Sequence, residues 1–118
     1  MATSNVVKAN DQIVGVDVKN NANEDLGEIK EIMLDKSTGQ VAYLVLDSGS
    51  FLGMGGKLFA LPWHSIHFDK EEKCFILNID KDRLKNAPGF DKDHWPDMAD
   101  RTWGKSVSTY YNTKGYWE

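Results

Sequence analysis

The side chains with an evident bearing on chemistry are three histidines, one cysteine and a glycine-rich loop from Ser48 to Lys57. His64 and His67 stand three residues apart. On a helix that spacing aligns two ligands, whereas on a strand it sends them to opposite faces. The surrounding HSIHF is strand-like and no third ligand stands at a zinc-type spacing, so both are expected as edge or surface histidines with no shared metal. General acid–base chemistry needs convergent titratable groups, and the candidates are Asp47, His64, His67 and His94. Their contexts hold no nucleophile elbow, no paired-histidine helix and no second cysteine. Cys74, in KCFILNI, is expected as a half-buried small apolar residue, and a lone thiol suits a reducing compartment. This set predicts no catalytic residue, no cofactor and no metal ligand.

The loop carries Gly49, Gly53, Gly55 and Gly56 but fails as a phosphate cradle. A P-loop ending in Gly56-Lys57 needs Gly where Phe51 stands and Ser or Thr where Leu58 stands. A dinucleotide fingerprint starting at Gly53 also needs Gly at Leu58. Both motifs require a following helix, and strand-like LFAL follows instead. The glycines therefore serve tight turning, with Phe51, Leu52 and Met54 either tucked onto the end of the fold or offered to a partner.

The elements that hold these residues are mostly strands. A chain of 118 residues, 41% hydrophobic and 27% charged, makes one folded domain rather than a disordered one. Residues 1–11 form a polar lead-in. Ile13 to Val18 makes a short strand, and Asn20 to Asp25 a hairpin turn. In LGEIKEIMLD, Leu26 to Asp35, Ile29 falls out of phase with Ile32 and Leu34, which predicts a β-bulge near Lys30 and Glu31. Asp35 to Gln40 turns, with Gly39 available for positive φ. Val41 to Asp47 is apolar on both faces, so something must cover the second one. Leu58 to Leu61 resumes the sheet, Pro62 marks an edge or bend, and Trp63 brings a large apolar area to bury. His64 to Phe68 continues extended, with Ile66 and Phe68 on one face. Phe75, Leu77 and Ile79 alternate as the last strand. Asp80 then caps a short helix to Ala87, Ile79 and Leu84 being spaced as a hydrophobic staple.

In order and spacing, several of these pieces resemble the PRC-barrel family. They are Gly15-Val16-Asp17-Val18, Leu26-Gly27-Glu28-Ile29-Lys30-Glu31-Ile32, Asp35 with Thr38-Gly39, Phe51-Leu52-Gly53-Met54-Gly55, Leu61-Pro62-Trp63, and Leu84 with Ala87-Pro88. The resemblance implies a mainly β fold, a small SH3-like barrel of about six strands with a short sealing helix, over residues 12–90. The family is named for the cytoplasmic domain of the photosynthetic reaction-centre H subunit. It also supplies the C-terminal domain of a ribosome-maturation factor, where it docks a ribosomal protein. The implied role is an interaction module, and the family brings no catalytic residues to carry over.

Residues 91–118 hold six of the thirteen aromatics: Trp95, Trp103, Tyr110, Tyr111, Tyr116 and Trp117. Apolar recurrence at three or four residues predicts an amphipathic helix from Asp97 to about Tyr111, with Pro96 at its start. Gly104 inside it costs about 1 kcal/mol relative to Ala. Such a stripe needs a surface, so the extension packs on its own barrel, crosses to a second subunit in a homodimer, or serves as a recognition arm. The expected interaction residues are these six with Phe51, Leu52, Met54 and Trp63.

Formal net charge is −4, with 13 acids against 10 bases up to Phe90 and 5 against 4 after it. No segment is basic, which excludes DNA and argues against RNA as a partner. No window approaches the roughly 18 apolar residues of a membrane span, and the first eleven residues lack a signal-peptide core. The sequence therefore predicts a soluble cytoplasmic, non-catalytic protein-interaction or assembly module, with a ribosome- or RNA-associated factor as the alternative. A small-molecule-binding or enzymatic barrel stands further off.

Overall fold

Two neighbouring strands without a polar face set the architecture. β3 (Gln40–Asp47) and β4 (Lys57–Pro62) pair antiparallel, Leu44 opposite Leu61 and Leu46 opposite Phe59. Successive side chains of a strand point to opposite faces. Leu44, Leu46, Phe59 and Leu61 therefore enter one apolar cluster, while Tyr43, Val45, Leu58 and Ala60 enter a second on the other side. The computed structural model describes residues 5–49 and 57–118. Around the central pair it places β1 (Asp17–Lys19), β2 (Asp25–Asp35), β5 (Ile66–Asp69), β6 (Cys74–Leu77) and β7 (Gly89–Asp91). Three helices, α1 (Ala9–Gln12), α2 (Lys81–Lys85) and α3 (Arg101–Tyr110), complete the described elements.

The sheet order is β5-β6-β1-β2-β3-β4-β7, antiparallel throughout except for the parallel pair β1 and β6. The mainly β expectation is met, with seven strands in place of about six. β5 and β7 do not pair, so hydrogen bonding leaves the sheet open rather than closed into a barrel. Side chains of the first six strands still meet in one core of Val18, Leu26, Ile29, Leu44, Phe59, Ile66 and Phe75, with Leu84 of α2 buried among them. Each fully buried side chain of this size contributes roughly 1.5–3 kcal/mol.

The bulge expected in β2 is present: pairing with β3 jumps from Ile29–Leu46 to Glu31–Val45, leaving Lys30 as the extra residue. It brings Ile29 and Ile32 onto the same core despite their opposite parity. A second shift between Met33 and Leu34 turns Leu34 outward, where it is 60% exposed. At the β2–β3 turn, the Asp35 carbonyl accepts from Gly39 N–H at 2.7 Å, and Gly39 sits at φ +79°. The other end of β2 lies so close to β3 that a Cβ on Gly27 would fall 2.3 Å from the Asp47 carbonyl oxygen.

Asn20, only 5% exposed, organises the first hairpin. Its Oδ1 accepts from the N–H groups of Ala22 and Glu24, and its Nδ2 donates to the Ile79 carbonyl at 3.1 Å. The hairpin is thereby tied to the link between β6 and α2. Asp80 caps α2 as expected, accepting from Arg83 N–H at 2.7 Å, and Ile79 and Leu84 are both buried.

The described part of the polar lead-in contains the helical turn α1, because Lys8 and Ala9 carbonyls accept from Gln12 and Ile13 N–H groups. Three expectations are corrected. The stretch after Pro62 is a 3₁₀ turn, Trp63–Ser65, fastened by Ser65 Oγ donating to the Pro62 carbonyl, and only Ile66 resumes the sheet. β6 is not the last strand, since Gly89–Asp91 pairs with Lys57–Phe59 of β4. The last helix begins at Arg101 rather than Asp97. Asp97 instead holds a turn by accepting from Ala99 N–H, and Asp100 supplies the N-cap, accepting from Thr102 N–H.

Candidate functional site

The residues with acid–base capacity do not converge. Asp47 pairs with Leu58 at one end of β4, whereas His64 follows Pro62 at the other end. Four residues of strand separate them, about 13 Å at the usual rise. The Asp47 carboxylate is engaged locally, accepting from Gly49 N–H at 2.9 Å. His64, His67 and His94 are exposed, and among the described residues no group of three or more His, Cys, Asp or Glu is placed to hold a metal. Cys74 is buried, and that burial pushes its thiol pKa up, away from the thiolate that nucleophilic or redox chemistry requires.

α3 lies on the outer face of β3 and β4, where Val107 is fully buried beside Val45, Leu58 and Ala60. The expected apolar stripe thus finds the expected uncovered face within the same chain. Gly104 marks the closest approach: a Cβ there would stand 2.8 Å from the Tyr43 hydroxyl and 2.8 Å from the Trp117 ring. What looked like a helix defect is what lets the helix seat.

Most of the C-terminal aromatics are spent in this seating. Trp103 and Tyr116 meet Tyr43 edge-on, at ring-centroid distances of 5.4 and 5.7 Å. Trp117 packs on Tyr116 at 5.1 Å, with the Arg101 guanidinium 5.8 Å from its ring centre. Tyr110 meets Tyr111 edge-on and accepts the Arg83 guanidinium over its ring at 4.6 Å. The hydroxyls of Tyr43 and Tyr111 are buried with no hydrogen-bond partner among the described residues. Burial, with Tyr116 adding to it, raises the Tyr43 pKa to about 12, and burial raises that of Tyr111 further. Trp95 sits apart, tilted onto Phe90 at 5.1 Å with its indole N–H donated to the Lys92 carbonyl. Phe51, Leu52 and Met54 lie outside the described residues.

Trp63 behaves differently from its expected burial, being 37% exposed. It lines a groove of about 330 Å³ with Gln40, Val41, His64 and Tyr116, and a smaller one, of about 210 Å³, with Val7, Ile13, Phe68 and Phe75. Phe68 is 44% exposed on the outermost strand and meets Phe75 edge-on at 5.2 Å. Alternation puts Phe68 on one face with Ile66, yet Ile66 is buried and Phe68 is not. Only the position of β5 at the sheet edge leaves the second residue open, and edge position carries no signal in a four-residue run.

The arrangement defines a small sheet module with a covered outer face, an open strand edge flanked by two aromatics, and no convergent chemistry among the described residues. The chain belongs to the PRC-barrel family, whose domain model matches residues 6–84, ending before β7 and α3. Among solved structures it is similar to a putative 16S ribosomal RNA processing protein, RimM, from Pseudomonas aeruginosa. That likeness has 16% identity and a TM-score of 0.45, and covers 61% of this chain and 43% of that one. The chain therefore spans under half the length of that protein. No curated protein matches it.

Proposed function

We propose that the chain is a non-catalytic protein-interaction module acting in the cytoplasm, and that it docks its partner at the open β5 edge beside Trp63 and Phe68. The carrying observation is the contrast in how the aromatics are used. The C-terminal set, apart from Trp95 at 39% exposed, covers the chain's own outer face, while Trp63 and Phe68 stand 37% and 44% exposed around one apolar groove. Exposed aromatics grouped at a strand edge suit capture of an extended segment, with the edge supplying backbone hydrogen bonds and the groove taking a side chain. Membership of the PRC-barrel family supports an interaction role. The scattered histidines and the inert Cys74 supply no competing chemistry. Among the described residues, no helix is long and apolar enough to cross a membrane.

The test compares the full chain with a Trp63→Ser/Phe68→Ser variant, by cross-linking in cells, identification of the captured protein, and solution mass of each purified form. The expected result is one specific protein lost by the variant, with circular dichroism unchanged. A wild-type dimer that becomes monomeric in the variant makes the partner a second copy. Recovery of ribosomal particles, weakening steeply with salt, would instead favour the ribosome-associated reading. Equal capture by both forms sinks the assignment of this edge.

A further inference from the structure

Where α3 ends against the sheet, three separate parts of the chain meet around a cavity of about 330 Å³, within the size range of small-molecule sites. The 3₁₀ turn contributes His64, the link after β6 Asn78, α2 Arg83, and the chain after α3 Asn112 and Thr113. We propose that this cavity binds a small molecule carrying a carboxylate or phosphate group. The proposal goes beyond the docking edge and uses none of its residues.

Three observations carry it. First, His64, Asn78, Asn112 and Thr113 line the cavity, and among the described residues their side chains make no hydrogen bond, so their polar groups are open to a ligand. Second, Arg83 is pre-organised. One guanidinium nitrogen donates to the Tyr110 carbonyl at 2.7 Å, the group lies 4.6 Å from the Tyr110 ring centre, and the Tyr110 hydroxyl donates back to the Arg83 carbonyl. Among the described residues no carboxylate forms a salt bridge with it, which leaves most of a rigid, planar donor fork available. Third, the chain has 18 acidic residues, yet none lines this cavity. Donors without acids select an oxyanion over a cation, and a guanidinium fork matches a carboxylate or phosphate in particular. The carbonyl end of α3 opposes an anion here, but Arg83 already occupies the Tyr110 carbonyl and offsets it. A bound oxyanion would bridge barrel and extension, holding α3 in place.

The test titrates the full chain with inorganic phosphate and, separately, with citrate, in chloride buffer, following the side-chain amide signals of Asn78 and Asn112 by NMR. The expected result is a saturable shift of both signals in the millimolar range or below, with a rise in thermal midpoint. Saturation by phosphate alone or citrate alone identifies the ligand group, and either supports the site. Arg83→Gln should weaken binding about tenfold or more, as loss of a hydrogen bond to a charged group does. Because Arg83 also clamps α3, Asn112→Gly provides a second variant: it removes the amide, keeps the clamp, and suits the φ of +56° at that position. It should weaken binding severalfold at unchanged stability. No saturable shift with either anion, or equal affinity in the wild type and both variants, overturns the proposal.

Discussion

Gly104→Ala tests whether α3 is held by its own helical preference or by its fit to the sheet. In an exposed helix the change would stabilise by about 1 kcal/mol, since Gly loses more backbone freedom than Ala. Here the added methyl would sit 2.8 Å from the Tyr43 hydroxyl and 2.8 and 3.1 Å from two Trp117 ring carbons, tighter than side-chain contacts allow. Tyr43 cannot easily yield, being 1% exposed and flanked edge-on by Trp103 and Tyr116. Overpacking of this kind costs about 1–3 kcal/mol. The net is a loss of about 1 kcal/mol, or roughly 4 °C in thermal midpoint for a domain of this size. Tyr43→Phe should act in the opposite sense. It removes a buried hydroxyl that has no partner among the described residues, gaining about 1 kcal/mol, and it opens the space the methyl needs. In the double variant the alanine should therefore cost little or nothing. Urea unfolding of the four forms, followed by circular dichroism, measures the coupling. If Gly104→Ala alone stabilises by the full helical increment, or if the two effects simply add, the account of how α3 seats is wrong.

Two further outcomes are expected. Asn20→Ala should cost about 2–3 kcal/mol in the same assay, because it orphans the Ala22 and Glu24 N–H groups and the buried Ile79 carbonyl together; a cost under 0.5 kcal/mol refutes the tie between hairpin and α2 link. Alkaline stability should fall as pH rises from 10 toward 12. The Tyr43 pKa is raised by burial from 10.0 to about 12, so the unfolded chain releases that proton first and unfolding gains the difference. Tyr43→Phe should move the alkaline unfolding midpoint upward, and an unmoved midpoint refutes the assignment to this residue.

Much of the fold was legible because its signals are local. The bulge showed as a phase fault between Ile29 and Ile32, the tight turn as Asp35 with Gly39, and the α2 cap as Asp80 ahead of Leu84. The need for a cover was legible too, since Val41 to Asp47 has no polar face and the aromatic tail was the apolar surface left over. What escaped depends on distant partners. β7 is three residues long, too short for periodicity, and exists only through β4. Apolar recurrence puts the start of α3 at Asp97, but Asp97 and Asp100 compete as capping side chains and the second wins. Of the candidate site, Trp63 was named but expected to be buried, and Phe68 was missed. The convergence of His64, Asn78, Arg83 and Asn112 is purely tertiary, and no spacing announces it.

The one parallel pairing in the sheet has a consequence for how the chain reaches this state. β2, β3 and β4 follow one another and can zip together as each turn forms, but Val18 of β1 finds its second neighbour in Phe75 of β6. Closing a loop of that length carries an entropic cost that local pairings avoid, so docking of the β5–β6 hairpin onto β1 belongs late in assembly. During synthesis from the N-terminus, β1 must wait with one flank bare until the chain through β6 has emerged.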